Sequence, residues 1–402
     1  MADYSRPEAA KRAGVEPAYL DRLIELGIIA PGAGDRLSKG DLRRAQMART
    51  LETAGIGLEG LAAGIKGGHL TLAMMDAPTY ERFATLSDET FQQLSERTGL
   101  PLQLLMVMRE ATGSAAPEPG DRVREDELAV VPLIEAELAM GFGPQSVERT
   151  LRVTGESLRR LAETESHAWR SDLMDPMLAK GMTATQLADY STGEETVRLD
   201  QVMDEALLAL WHAHQSHAWG ANIISGFEQA LTSAGLFTKL SRPPAMCFLD
   251  ITGYTRLTQE RGDEAAASLA ESLGRLVNST SIKHGGRAVK WLGDGVMLHF
   301  RDPGPGVVAA LDMVDGVTDA GLPPAHVGLH AGPVLFQEGD YFGQTVNVAS
   351  RIAEYARPGE VLVSQEVVEA SADAGATFTE IGPVELKGVA GAVRLHAAHQ
   401  PA

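Results

Sequence analysis

The chain has 402 residues, 44% hydrophobic and 22% charged, an ordinary balance for a globular protein with room for two or three domains. Its formal net charge of -19 repels nucleic acid and anionic membranes unless a local basic patch intervenes. A single cysteine, Cys247, excludes an intramolecular disulfide framework. No apolar run approaches the roughly 20 residues of a membrane span, and the first residues lack the layout of a signal peptide, so a cytoplasmic location is expected.

Residues 1–112 show helical periodicity, as in Leu20, Leu23, Ile24 and in Met47, Leu51, Ala54. Arg6–Val15 followed by Tyr19–Ile28 predicts a helix–turn–helix with Gly14 at the turn. With Arg36–Arg44 and Leu51–Glu59 it resembles a MerR-type winged-helix domain, a family that binds DNA. Residues 1–65 carry nine acidic and nine basic side chains, and the would-be reading helix sets Glu16, Asp21 and Glu25 against Arg22 alone. A reading helix needs surplus positive charge. A packing or protein-interaction module is therefore expected, and DNA is not an expected partner.

Gly113–Asp121 reads as a linker. A second helical block, 123–235, begins with Leu128, Val131, Ile134 and Leu138 and is expected to regulate and dimerise. It contains His212, His214 and His217, with His167 upstream. Three readings stay open: ordinary part-exposed histidines flanked by core tryptophans, a pH sensor, or a metal site. His214 and His217 share a helix face, but His212 does not. The Met and Leu residues of this block fit either core packing or a cavity for a small apolar ligand.

Lys239–Pro244 reads as a second linker. Beyond it the texture changes to strands at 245–250, 286–291, 295–300, 325–330 and 360–363, with helices near 263–280, 305–319 and 345–355. That alternation predicts an α+β domain over 243–398.

Asp250 ends the buried-strand run that starts at Ala245, and Cys247 inside it reads as core. Asp294 sits in Leu292-Gly-Asp-Gly295 between two β-prone runs, a hairpin signal. A strand-end carboxylate and a hairpin-tip carboxylate suit hard divalent cations, whose shells phosphate oxygens would complete. Asn347 and Arg351 are four apart on a predicted helix, so they share a face and can orient a ribose and stabilise developing phosphate charge. Lys387 lies in a late strand or turn within reach of a polyphosphate.

Four segments in order carry a resemblance: Phe248–Thr255, Val289–Val296, Gly339–Arg351 and Glu385–Gly388. They resemble the class III nucleotide cyclase domain. The resemblance implies a ferredoxin-like fold working as a head-to-tail homodimer. It also implies conversion of ATP to 3′,5′-cyclic AMP and pyrophosphate. Asp250 and Asp294, with the Ile251 carbonyl, would hold two Mg²⁺ or Mn²⁺ ions per site. Lys290 and Asp340 would read adenine, since lysine donates to ring N1 and aspartate accepts from the 6-amino group, whereas guanine reverses both polarities. Asn347 and Arg351 would act at the transition state, and Lys387 would contact the triphosphate. The layout of 123–235 resembles the regulatory domains of actinobacterial adenylate cyclases. The rival reading is a MerR-like transcription regulator whose cyclase domain only senses nucleotide.

Overall fold

The computed structural model describes residues 4–76, 85–236, 242–254, 259–260 and 262–401. It divides into two units, Met1–Phe227 and Glu228–Ala402. Residues 239–241 of the expected linker, and Thr255 of the first cyclase-like segment, lie outside the described residues. Among the described residues no helix is long and apolar enough to cross a membrane.

In the first unit, helices Arg6–Ala13 and Pro17–Glu25 flank Gly14, whose φ of 70° lets the first helix end in a left-handed turn. Helix Lys39–Thr53 starts at a capping box in which Ser38 and Asp41 satisfy each other's backbone N–H groups. Leu20, Leu23, Leu37, Leu42 and Ala45 form the core of these elements. Ahead of helix Lys39–Thr53, Tyr4 bridges Leu37 and Gly32 bridges Arg36.

The stretch 113–121 does not separate two cores. Phe91, Leu94 and Leu105 from one side pack with Val123, Ile134 and Val147 from the other. Strand β1, Leu86–Thr90, also pairs across it with β2, Arg122–Arg124. Fully buried Glu127 accepts two hydrogen bonds from Arg109, at 2.7 and 2.9 Å, which ties the same two sides. Proline and glycine there fall in a surface loop that joins these packed segments.

A helix of 40 residues, Glu194–Ser233, carries His212, His214 and His217. Its tryptophans were expected in a core. Trp211 is 53% exposed and Trp219 62% exposed, along with Leu208, Leu210, Ile223 and Phe227. Helical spacing of apolar residues shows that a face needs a partner, but not that this chain supplies it.

The second unit is built on a seven-stranded sheet. Its strands are β3 (Ala245–Ile251), β4 (Gly286–Leu292), β5 (Gly295–Phe300), β6 (Ala325–Ala331), β9 (Val361–Ser364), β10 (Thr377–Glu385) and β11 (Ala392–His399), in the order β10-β11-β9-β6-β3-β5-β4. The short strands β7, Leu335–Gln337, and β8, Asp340–Phe342, make a separate hairpin. The run β6-β3-β5-β4 is the 4-1-3-2 antiparallel order of a ferredoxin-like fold.

Alternation divides the sheet's faces. Ala245, Cys247 and Leu249 of β3 pack with Leu273 and Val277 of helix Asp263–Lys283 and with Val307 and Val314 of helix Pro303–Asp319. Burial pushes the Cys247 thiol far above its ordinary range, so it is an inert core group. On the opposite face lies helix Gln344–Tyr355. Gly328 of β6 lets it approach, because a methyl group there would collide with the Ala353 backbone.

Candidate active site

Asp250 is the last residue but one of β3, and pairs with Gly295 of β5 on one side and His326 of β6 on the other. A two-residue turn, Gly293-Asp294, joins β4 to β5, with Gly293 at φ 74°. Glycine at the first position of such a turn is what type II′ geometry demands. Gly295 therefore sets Asp294 one residue from the level of Asp250. A Cβ at Gly295 would stand 3.2 Å from Asp250 Oδ1, so only glycine leaves that carboxylate unencumbered.

Partial burial, with the nearby Asp294 carboxylate, raises the Asp250 pKa; His326 and the Ile251 N–H oppose the rise. That N–H donates to Asp250 Oδ1 at 3.1 Å, and His326 Nε2 lies 3.7 Å from Oδ2. The other ring nitrogen of His326 lies 3.3 Å from the Thr252 hydroxyl. Two like charges at a half-exposed strand end fit a divalent cation, which would relieve their repulsion. Among the described residues no three His, Cys, Asp or Glu side chains gather around one point. A cation there would keep positions open for substrate oxygens.

Lys290 and Asp340 form an ion pair that joins β4 to the β7–β8 hairpin. Regular alternation would put Arg287 and Lys290, three apart, on opposite faces of β4. The register shifts between Ala288 and Lys290, leaving Val289 as an extra residue. Arg287 faces His299 and Lys290 faces Met297, so both point to the side where Asp340 waits.

Helix Gln344–Tyr355 is anchored at its start by Thr345, whose hydroxyl donates to the Pro333 carbonyl at 2.7 Å. Asn347 is exposed and Arg351 half-buried, the latter paired with Glu354 at 2.5 Å. Pro333 follows β6 at the end that pairs with Ala245, the far end of β3 from Asp250. Five residue steps along the strand separate Ala245 from Asp250, a span of roughly 16 Å. Lys387 is exposed in the turn after β10, beside buried Leu386.

One chain thus gathers Asp250 with Asp294 and Ile251, and Lys290 with Asp340. It keeps Asn347 at the opposite end of the sheet. Sequence reading missed His326, whose contacts with Asp250 and Thr252 depend on strand pairing. Its even spacing from His330 on one strand face was the available signal.

The model of the adenylate and guanylate cyclase catalytic domain matches residues 239–399, and that of the adenylate cyclase regulatory domain matches residues 42–214. A protein named pH-sensitive adenylate cyclase MT1302, from Mycobacterium tuberculosis, is 31% identical over 316 residues, 76% of each chain. A Streptomyces coelicolor adenylate cyclase is 32% identical over 219 residues, 54% of each chain. Among solved structures, the adenylyl cyclase CyaB from P. aeruginosa matches 40% of this chain and 95% of its own, at 24% identity and a TM-score of 0.36. From its helical first unit to its cyclase-type sheet, the chain belongs to the adenylate cyclase family.

Proposed function

We propose that the chain makes 3′,5′-cyclic AMP from ATP at sites shared between two copies of itself. The observation that carries this is the separation of Asp250 and Asp294 from Asn347 along β3. A single chain brings together only half of the needed groups. A second copy, turned head to tail, supplies the other half, and twofold symmetry then gives two equivalent sites. Exposed Trp291, Leu292, Phe336 and Phe342 around Lys290 and Asp340 offer apolar surface for such pairing.

In this reading Asp250, Asp294 and the Ile251 carbonyl hold two magnesium or manganese ions. Bound ions would ease deprotonation of the ribose 3′-hydroxyl and neutralise the triphosphate. Lys290 donates to adenine N1 while Asp340 accepts from the 6-amino group. Asn347 orients the ribose, Arg351 stabilises charge on the α-phosphate, and Lys387 holds the triphosphate. Arg351 must leave Glu354 to do so. The 3′-oxygen bonds to the α-phosphorus as the bond to the bridging oxygen breaks and pyrophosphate departs. ATP as substrate places the reaction in the cytoplasm.

The first unit would regulate by dimerising through the long helix Glu194–Ser233, whose exposed Leu208, Leu210, Trp219 and Phe227 need cover. Protons are favoured over an apolar ligand as its signal. His212, His214 and His217 are exposed on that helix, while the hollow bounded by Arg160, Glu163, Thr164 and His167 is open to solvent and polar, and all four residues lie on the one helix Pro144–Ala168. DNA binding finds no support, since Arg22 of the would-be reading helix is already paired with Glu25 and Glu59.

Mixing tests the shared site. Asp250→Ala and Asn347→Ala proteins, each inactive alone, should recover up to about one quarter of wild-type activity when mixed as heterodimers, since one of two sites is intact in half of the dimers. Confirmed heterodimers without activity refute the proposal.

A further inference from the structure

Tyr341 directly follows Asp340, and several contacts hold it. Its backbone N–H donates to Asp340 Oδ1 at 2.8 Å. Its ring stacks on His299 at 4.3 Å between centroids and 4° between planes. Its phenol oxygen accepts from Arg287 Nη2 at 2.9 Å. The Arg287 guanidinium also lies 5.5 Å from the rings of Tyr341 and Phe336. Only 9% of Tyr341 is exposed, and it packs with Met246, Met297 and Ala349.

The β7–β8 hairpin has three residues per strand and, among the described residues, its backbone pairs with no other strand. A hairpin that small does not hold its own geometry in water. Its position on the sheet comes from docking, and Tyr341 is the docked residue. The same docking fixes Asp340. One carboxylate oxygen is tied to the Tyr341 N–H and the other faces Lys290. Arg287 and Lys290 reach this side together only because of the bulge at Val289.

We propose that Tyr341, clamped by Arg287 and His299, is a positioning residue that sets purine selectivity. It holds the Asp340 acceptor at the spacing from the Lys290 donor that a 6-aminopurine edge requires. Tyr341 does not touch the nucleotide. This rests on the reading of Lys290 and Asp340 as the base-recognising pair. A lysine ammonium is a mobile point charge and imposes little geometry by itself. Selectivity between a 6-amino and a 6-oxo edge then depends on how firmly the carboxylate is oriented. Freed from the clamp, Asp340 can turn away and the pair tolerates guanine better.

Steady-state kinetics with ATP and with GTP test this on the full-length chain carrying Tyr341→Phe, Arg287→Met, Arg287→Lys or Asp340→Asn. Tyr341→Phe keeps the ring and removes only the phenol oxygen. For it and Arg287→Met, the KM for ATP should rise about tenfold, the size of one lost charge-assisted hydrogen bond. The preference for ATP over GTP should fall by a similar factor while kcat stays within about twofold. Arg287→Lys should recover part of the preference. Unchanged KM and preference in both variants would overturn the role. So would an equal loss of kcat with both nucleotides and a lower melting temperature, which marks a purely structural residue. If Tyr341→Phe does not fold, Arg287→Met on the exposed edge strand decides alone. Asp340→Asn separates the two failures. If it leaves the preference intact, the base-reading assignment falls and this role with it. If it changes the preference and the clamp variants do not, only the clamp is refuted.

Discussion

Asp250 lies directly across from Gly295, and the turn before Gly295 delivers Asp294 beside it, so the Asp294 carboxylate adds to the cost of charging Asp250. The arrangement opposes stability, a cost that the divalent ions of the proposed site would relieve.

Asp250→Asn should therefore raise the melting temperature at pH 7 while abolishing activity. The Asp250 pKa is raised on folding, so ionisation penalises the native state above the ordinary carboxyl range. The variant's advantage should shrink as pH falls through the carboxyl range and vanish well below about 4, where Asp250 is protonated in both states. Manganese should raise the melting temperature of the wild type more than that of the variant. Thermal melts across pH, with and without metal, check this; a variant less stable than wild type at pH 7 refutes it.

His299 sets an acid limit on the catalytic unit. Burial, aided by Arg287, lowers its pKa to about 4, so folding holds the ring neutral. The unfolded chain takes up that proton near the ordinary histidine value. Stability should fall between about pH 6.5 and pH 4. His330, lowered by burial against the pull of Glu366, adds to the loss in the same direction. His299→Phe keeps a ring on Tyr341 and cannot protonate, so its stability should decline less steeply across that window. Denaturant midpoints at several pH values measure the slope; an unaltered slope excludes His299.

Replacing His212, His214 and His217 with glutamine should flatten the pH dependence of cyclase activity in the full-length chain. The second unit produced without residues 1–227 should show no such histidine-dependent limb. Parallel pH–rate profiles for wild type and triple variant would exclude these histidines as the sensor.

Much of the placement of the candidate site residues was legible in the sequence because its signals are local. Asp250 ends an apolar strand run, and Asp294 sits in a glycine-flanked turn between two others. Asn347 and Arg351 fall one helical turn apart. What escaped notice depends on partners distant in the chain. Strand β10 contains Gly382 and Pro383, which argue against a strand by composition. It lies at the sheet edge, where a missing N–H is tolerated. Strands β7 and β8 are too short for any periodicity to register. The exposure of Trp211 and Trp219 escaped for a different reason, since their spacing is that of a core helix although both side chains are exposed.

The bulge at Val289 makes nucleotide reading, as proposed above, a question of register as well as identity. Were Val289 to pair regularly with Met297, Lys290 would move on to Val296 with every motif residue still in the sequence, and would turn toward the face covered by helix Asp263–Lys283. Two relatives with the same recognisable residues could then differ in the base they accept through the register of one edge strand. Reading such proteins by their motif letters alone would assign them the same substrate.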